Sequence, residues 1–196
     1  MNRFLCIVAM MLSIGLSSSA QDGNTYEDFK MYRNTAEDKP EAIGKMKVLL
    51  ADSAHLKPKQ VTNISYHIGR LFEELELPDS AEIYYVKALA GEPNYEVIHR
   101  ALGFIYLERT KVVTAEMGAI ADRDTEKRAR VYAKYKSLVL KALPHFEKYQ
   151  ACDPDEDTLA IIMSLHKSIK TGETDASVAE RLKKLAVNCV TLLDDE

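Results

Sequence analysis

The sequence predicts an all-α protein built from antiparallel helix pairs, and three observations carry that reading. Residues 62–93 read TNISYHIGRLFEELELPDSAEIYYVKALAGEP, two helical stretches broken by a turn. Within them Gly69 and Ala81 are small where two helices must come close, and Phe72 and Tyr85 are large where they need not. The pattern then recurs: Leu102-Gly103 and Tyr106 repeat Ile68-Gly69 and Phe72 after 34 residues. Finally, Ala, Leu, Lys and Glu are frequent, and no run alternates Val, Ile and Thr as a half-buried strand would.

Taken in order, the chain opens on a targeting pattern. Arg3 precedes an apolar run from Phe4 to Leu16, and Ser18-Ser19-Ala20 supplies small residues for cleavage, so residues 1–20 are expected to be a signal peptide. The run is short for a membrane span, so a soluble, exported protein starting at Gln21 is expected, with residues 21–196 as one helical domain. Cleavage would remove Cys6 and leave Cys152 and Cys189. In an oxidising compartment that pair is a candidate disulfide, the alternative being two small buried thiols.

Asn24-Thr25 reads as an N-cap, followed by Glu27 and Asp28 in a first turn and an apolar stripe from Tyr26 to about Ala36. Pro40, Pro58 and Pro78 open the next three helices. After Gly103 the pattern stretches: Ala142, Phe146, Tyr149 and Pro154 keep the mutual spacing of Ala81, Tyr85, Ala88 and Pro93. Yet 39 residues separate Gly103 from Ala142 where 12 separate Gly69 from Ala81, so 27 are added. Val112, Val113, Met117 and Ile120 continue one helix, and Tyr132, Tyr135 and Val139 extend its partner. An elongated hairpin over about residues 95–152 is therefore expected to project, its tip at residues 122–125, the added length shared evenly and a bend at Pro144. Asp155 caps the following helix, which carries Leu159, Ile162, Met163 and Ile169 and stops at Thr171-Gly172. In the last, Val178, Leu182, Leu185, Cys189 and Leu192 fall at helical spacing, so that helix is expected to reach residue 192.

Gly69, Phe72, Ala81, Tyr85, Ala88 and Pro93, with Gly103, Tyr106, Ala142, Phe146 and Pro154 in the second unit, resemble the signature of the tetratricopeptide repeat family. Ser65 stands where that family most often has a large residue. With the ALPHFEKYQACDP stretch (142–154), the chain is similar to small exported members in Gram-negative bacteria. The resemblance implies an α-solenoid of about four helix pairs with capping units at both ends, in the periplasm or cell envelope. It also implies a groove lined by the first helix of each pair: Asn63, Tyr66, Arg70 and Glu73, then Val97, Arg100, Phe104 and Leu107, then Thr158, Ile161 and Leu165. Tyr, Phe and Arg on one surface suit a protein or peptide partner. Tyr66 and Arg70 replace the Lys and Asn of the family's carboxylate clamp, which argues against capture of a peptide C-terminus in that way.

Chemistry finds little footing. The five His are scattered without an HExxH or CxxC pattern, and no Gly-rich phosphate loop occurs. No catalytic residue, metal or cofactor is expected. The net charge of −4 and the lack of a long basic run argue against nucleic acid. The reading is a binding scaffold or adaptor, with self-association through the long hairpin as the alternative.

Overall fold

The computed structural model describes residues 25–33 and 38–193. The expected signal segment, the mature start and the expected end of the first stripe near Ala36 lie outside those residues. Among the described residues eight α-helices follow one another: α1 (Tyr26–Tyr32), α2 (Lys39–Ala51), α3 (Pro58–Glu74), α4 (Pro78–Gly91), α5 (Glu96–Gly118), α6 (Thr125–Cys152), α7 (Glu156–Ser168) and α8 (Asp175–Leu185). Among the described residues there is no strand, only a parallel bridge between Tyr95 and Val190. No described helix is long and apolar enough to cross a membrane.

Seven of these starts, all but that of α5, have a local cause. Thr25, Asp38, Asp124, Asp155 and Thr174 accept a hydrogen bond from a backbone N–H three residues on, satisfying a donor the helix cannot. Pro58 and Pro78 begin α3 and α4, where a missing N–H costs nothing. The stops use left-handed backbone: Glu76 after α3, Lys170 and Gly172 after α7, and Asn188 after α8.

In α3–α4 and α5–α6 the contacts descend one helix as they climb the other, so both are antiparallel hairpins. Glu73 meets Tyr85, and Gly91 lies against Thr62; Arg100 lies over Tyr149 and Lys134 pairs with Glu116. Measured from the equivalent Gly and Ala, α5 is longer than α3 by ten residues, the turn by three and α6 than α4 by fourteen. The added length is therefore uneven, about 15 Å on one arm and about 21 Å on the other. The extension has its own small core of Val113, Ile120 and Val131. It is also braced, because the Tyr132 hydroxyl donates to the Ser168 carbonyl at the end of α7. Pro144 sits within a continuous α6.

The main core draws on all eight of these helices, with Phe29, Met46, Ile64, Ile68, Tyr85, Ile98, Leu102, Phe146, Ile162 and Val178 fully buried. Each of the larger ones contributes about 2–3 kcal/mol through burial alone. The close approach at the glycines differs from the expected pairing with Ala. A Cβ on Gly69 would lie 2.7 Å from the Tyr85 ring, and one on Gly103 would lie 3.0 Å from the Phe146 ring. Aromatic faces, not Ala81 and Ala142, fill the space a side chain would take. Gly91, unremarked in the sequence, is equally constrained: its Cβ would strike the Thr62 side chain.

The C-terminal region departs most from expectation. α7 and α8 each pack on α6 more than on one another. α8 ends at Leu185, not 192, because Lys148 of α6 donates to the Leu185 and Val187 carbonyls and Asn188 turns left-handed. Cys189 is bonded to Cys152, with Cα atoms 5.5 Å apart. Val190 then pairs with the chain entering α5: its N–H donates to Asn94 and its carbonyl accepts from Glu96. Leu159, placed on the apolar face of α7 by spacing, is exposed, as is Val112 of α5.

Candidate interaction surface

The expected groove residues do not form one open face. Asn63 is buried, its amide donating to the Tyr26 hydroxyl of α1. Thr158 is buried too, tied through its N–H and hydroxyl to Asp155. Both are polar residues that a satisfied partner allows inside. Tyr66 is half-buried, edge-on to Tyr95 and His67. Arg70 reaches the Arg33 carbonyl and the Glu74 carboxylate, which anchors α1 to α3. Arg100 is exposed over the rings of Phe104 and Tyr149, while Val97, Leu107 and Ile161 are half-buried and Leu165 is buried.

Glu73 and Phe104 share a cleft. It measures about 710 Å³ and lies between the α3–α4 turn and the middle of α5. Pro78, Ile105 and Val112 supply further apolar lining, and Glu76, Glu108 and Arg109 the polar part. The wall is held by ring packing and ion pairs. Phe104 stands edge-on to the buried Phe146, with centroids 5.1 Å apart. Arg109 bridges Asp79 (2.6 Å) and Glu82, and Tyr106 also donates to Glu82. Burial works to raise the Glu82 carboxyl, but the bonds from Tyr106 and Arg109 hold it below its ordinary value. Burial and the same carboxylate push the Tyr106 phenol up to about 12. Arg109 is thus already neutralised by two acids, whereas no Lys or Arg among the described residues pairs with Glu73 or Glu76. Glu73 instead accepts the Tyr85 hydroxyl, and Glu108 has one solvent-exposed partner, Lys111. The cleft is thus lined by apolar side chains beside three carboxylates.

Two polar clusters escaped the sequence reading because their members lie far apart in the chain. Glu147 is buried and accepts from Arg181 through both oxygens and from His166, joining α6 to α7 and α8. A saturated pair of this kind fixes an arrangement of helices and leaves no vacant valence for chemistry. In the second, the Nδ1 atoms of His99 and His145 lie 3.1 Å apart. The Pro93 carbonyl can only accept, so His99 carries its proton on Nε2, 2.9 Å away, and the bare Nδ1 accepts from His145. Burial, followed by the neighbouring His99, pushes the His145 imidazole down to about 4. Among the described residues no three His, Cys, Asp or Glu side chains converge as a metal site would require.

Comparison with known proteins leaves the reading to these residues. No family model, curated protein or solved structure matches this chain.

Proposed function

We propose that this protein is an exported scaffold of the tetratricopeptide-repeat type that docks a protein or peptide partner and performs no chemistry of its own. The observation that carries the reading is the cleft between the α3–α4 turn and α5. There the exposed Val112 and Pro78 and the half-buried Phe104 lie beside three carboxylates, over the buried Ile105. Val112 is 69% exposed beside this apolar lining, where a docked segment would cover it. The repeated Gly-on-aromatic crossing at Gly69 and Gly103 supports the repeat assignment.

A photo-crosslinking amino acid at Val112, with the same group at the exposed Val48 as control, tests the docking in the producing cell. A discrete crosslinked polypeptide is expected from position 112 and not from 48. Equal labelling at both positions would sink the proposal.

Self-association is the second reading. The observation favouring it is the exposure of Leu140 and Tyr132 along the outer part of the α5–α6 hairpin. Light scattering across a wide concentration range separates the two: a constant monomer removes self-association and leaves docking standing.

A further inference from the structure

The cleft's charge specifies its occupant, on the reading that it is a docking site. We infer that it takes a cationic amphipathic segment of a partner polypeptide, with Lys or Arg side chains on the carboxylates and aliphatic ones on the apolar lining. Three carboxylates line it, from Glu73, Glu76 and Glu108, against one cation. That cation, Arg109, is turned into Asp79 and Glu82 and has no charge left to offer an acidic ligand. Glu73 and Glu76 have no cationic partner among the described residues, so an arriving ammonium or guanidinium displaces water and no existing ion pair. The apolar lining of Phe104, Ile105, Val112 and Pro78 offers no donors to an anion, and it matches aliphatic side chains at helical or extended spacing. An acidic peptide would meet three like charges and an occupied arginine. A polar cationic peptide would leave the apolar lining wet.

The test uses the full chain as secreted and two fluorescent probes: a short amphipathic peptide of Leu and Lys, and its counterpart with every Lys replaced by Glu. Anisotropy titrations measure both, at low and at physiological salt. The Lys peptide is expected to bind and to weaken as salt rises. A Glu73→Gln, Glu76→Gln, Glu108→Gln triple variant is expected to weaken it on the order of tenfold, as three exposed ion pairs would. Val112→Ser, at a position exposed enough to leave the fold intact, is expected to weaken the Lys peptide by removing apolar contact without adding charge. If the Lys peptide binds but neither variant changes its affinity, attraction is diffuse and the inference is overturned. If the Glu peptide binds as well as the Lys peptide and Val112→Ser weakens both, the cleft docks a segment but its charge does not select it, and the inference is overturned. If neither peptide binds, the docking reading itself falls, and the charge inference with it.

Discussion

In the α3–α4 hairpin the ring of Tyr85 lies on Gly69, and in α5–α6 the ring of Phe146 lies on Gly103. The crossing is the same; what surrounds it is not. Tyr85 must place a hydroxyl, which goes to Glu73 in the lining of the cleft, whereas Phe146 needs no partner and carries Phe104 on its edge. Five residues after Gly69 helix α3 ends, while α5 continues for fifteen after Gly103. The crossing therefore determines how a pair packs and leaves its length free, provided the added turns bring their own apolar contacts. Val113, Ile120 and Val131 are those contacts. The longer pair also draws on restraints the shorter one lacks: the disulfide at the end of α6, the Glu147–Arg181 pair and the Lys148 bonds to the α8 terminus.

The strongest way to break this contrast is to remove the disulfide. Cys152 and Cys189 close a loop of 37 residues, so Cys152→Ser with Cys189→Ser is expected to cost about 3–4 kcal/mol. Urea melts with and without reductant measure it, and the double variant should be indifferent to reductant. Hydrogen exchange should then rise in α6 and α8 and stay unchanged in α3–α4.

The glycines sharpen the comparison. Gly69→Ala forces its Cβ into a buried ring whose hydroxyl is tied down, so about 1–2 kcal/mol of destabilisation is expected despite the helix propensity gained. Gly103→Ala meets a looser contact and is expected to stay within about 1 kcal/mol of wild type. Leu at either position is expected to cost about 3 kcal/mol or more. Equal costs for the two Ala variants in urea would mean the crossings do not differ.

The third difference is pH. His145 and His99, at the base of the long hairpin, are both held below their ordinary values, first by burial. Glu82 opposes the shift at His145 and Lys148 adds to it at His99, while the Pro93 carbonyl works against it. The unfolded chain therefore binds more protons than the folded one between about pH 6.5 and 4. Stability is whole above that window and falls as pH drops through it, by on the order of 2 kcal/mol for His145. Melts of His145→Leu over the same range are expected to show a flatter slope. An unchanged slope would place the titration elsewhere.

The smallest effect belongs to the tip. Asp124 accepts from Lys127 N at the start of α6, so Asp124→Ala is expected to cost about 1 kcal/mol. Its exchange signature should be confined to the extension, since that segment has its own core.

Much of the helical order was legible, because prolines, Asp and Thr caps act locally and need no knowledge of the rest of the chain. The glycines were legible as places of close approach but their partners were not, since spacing cannot say whether Ala81 or Tyr85 turns inward. Asn63 and Thr158 were assigned to a groove by repeat position. The Tyr26 hydroxyl that buries the first comes from a helix 37 residues earlier, and Asp155 covers the second. The end of α8 was misread for a related reason. Leu185, Cys189 and Leu192 keep helical spacing, yet Lys148 and Cys152, both on α6, decide where the chain leaves the helix. Glu73 and Phe104 come from the same expected groove, but the cleft they line also takes in Glu76 and Pro78 of the turn after Glu74, which repeat position does not place there.

The bridge from Val190 to the entry of α5 has a kinetic consequence. Both hairpins are made of contacts close in sequence, so each is free to form as soon as its own residues are available, with little loop entropy to overcome. The Val190 pairing with Asn94 and Glu96 brings nearly the last described residues back to the junction between the hairpins. A chain delivered N-terminus first therefore has α3–α4 and α5–α6 assembled while their junction still lacks its final backbone partner. During that interval the Glu96 N–H and Asn94 carbonyl remain in water, and the two hairpins are joined by their own packing alone. Closure waits on the tail, which makes the C-terminal segment the latch of the assembly rather than its fringe.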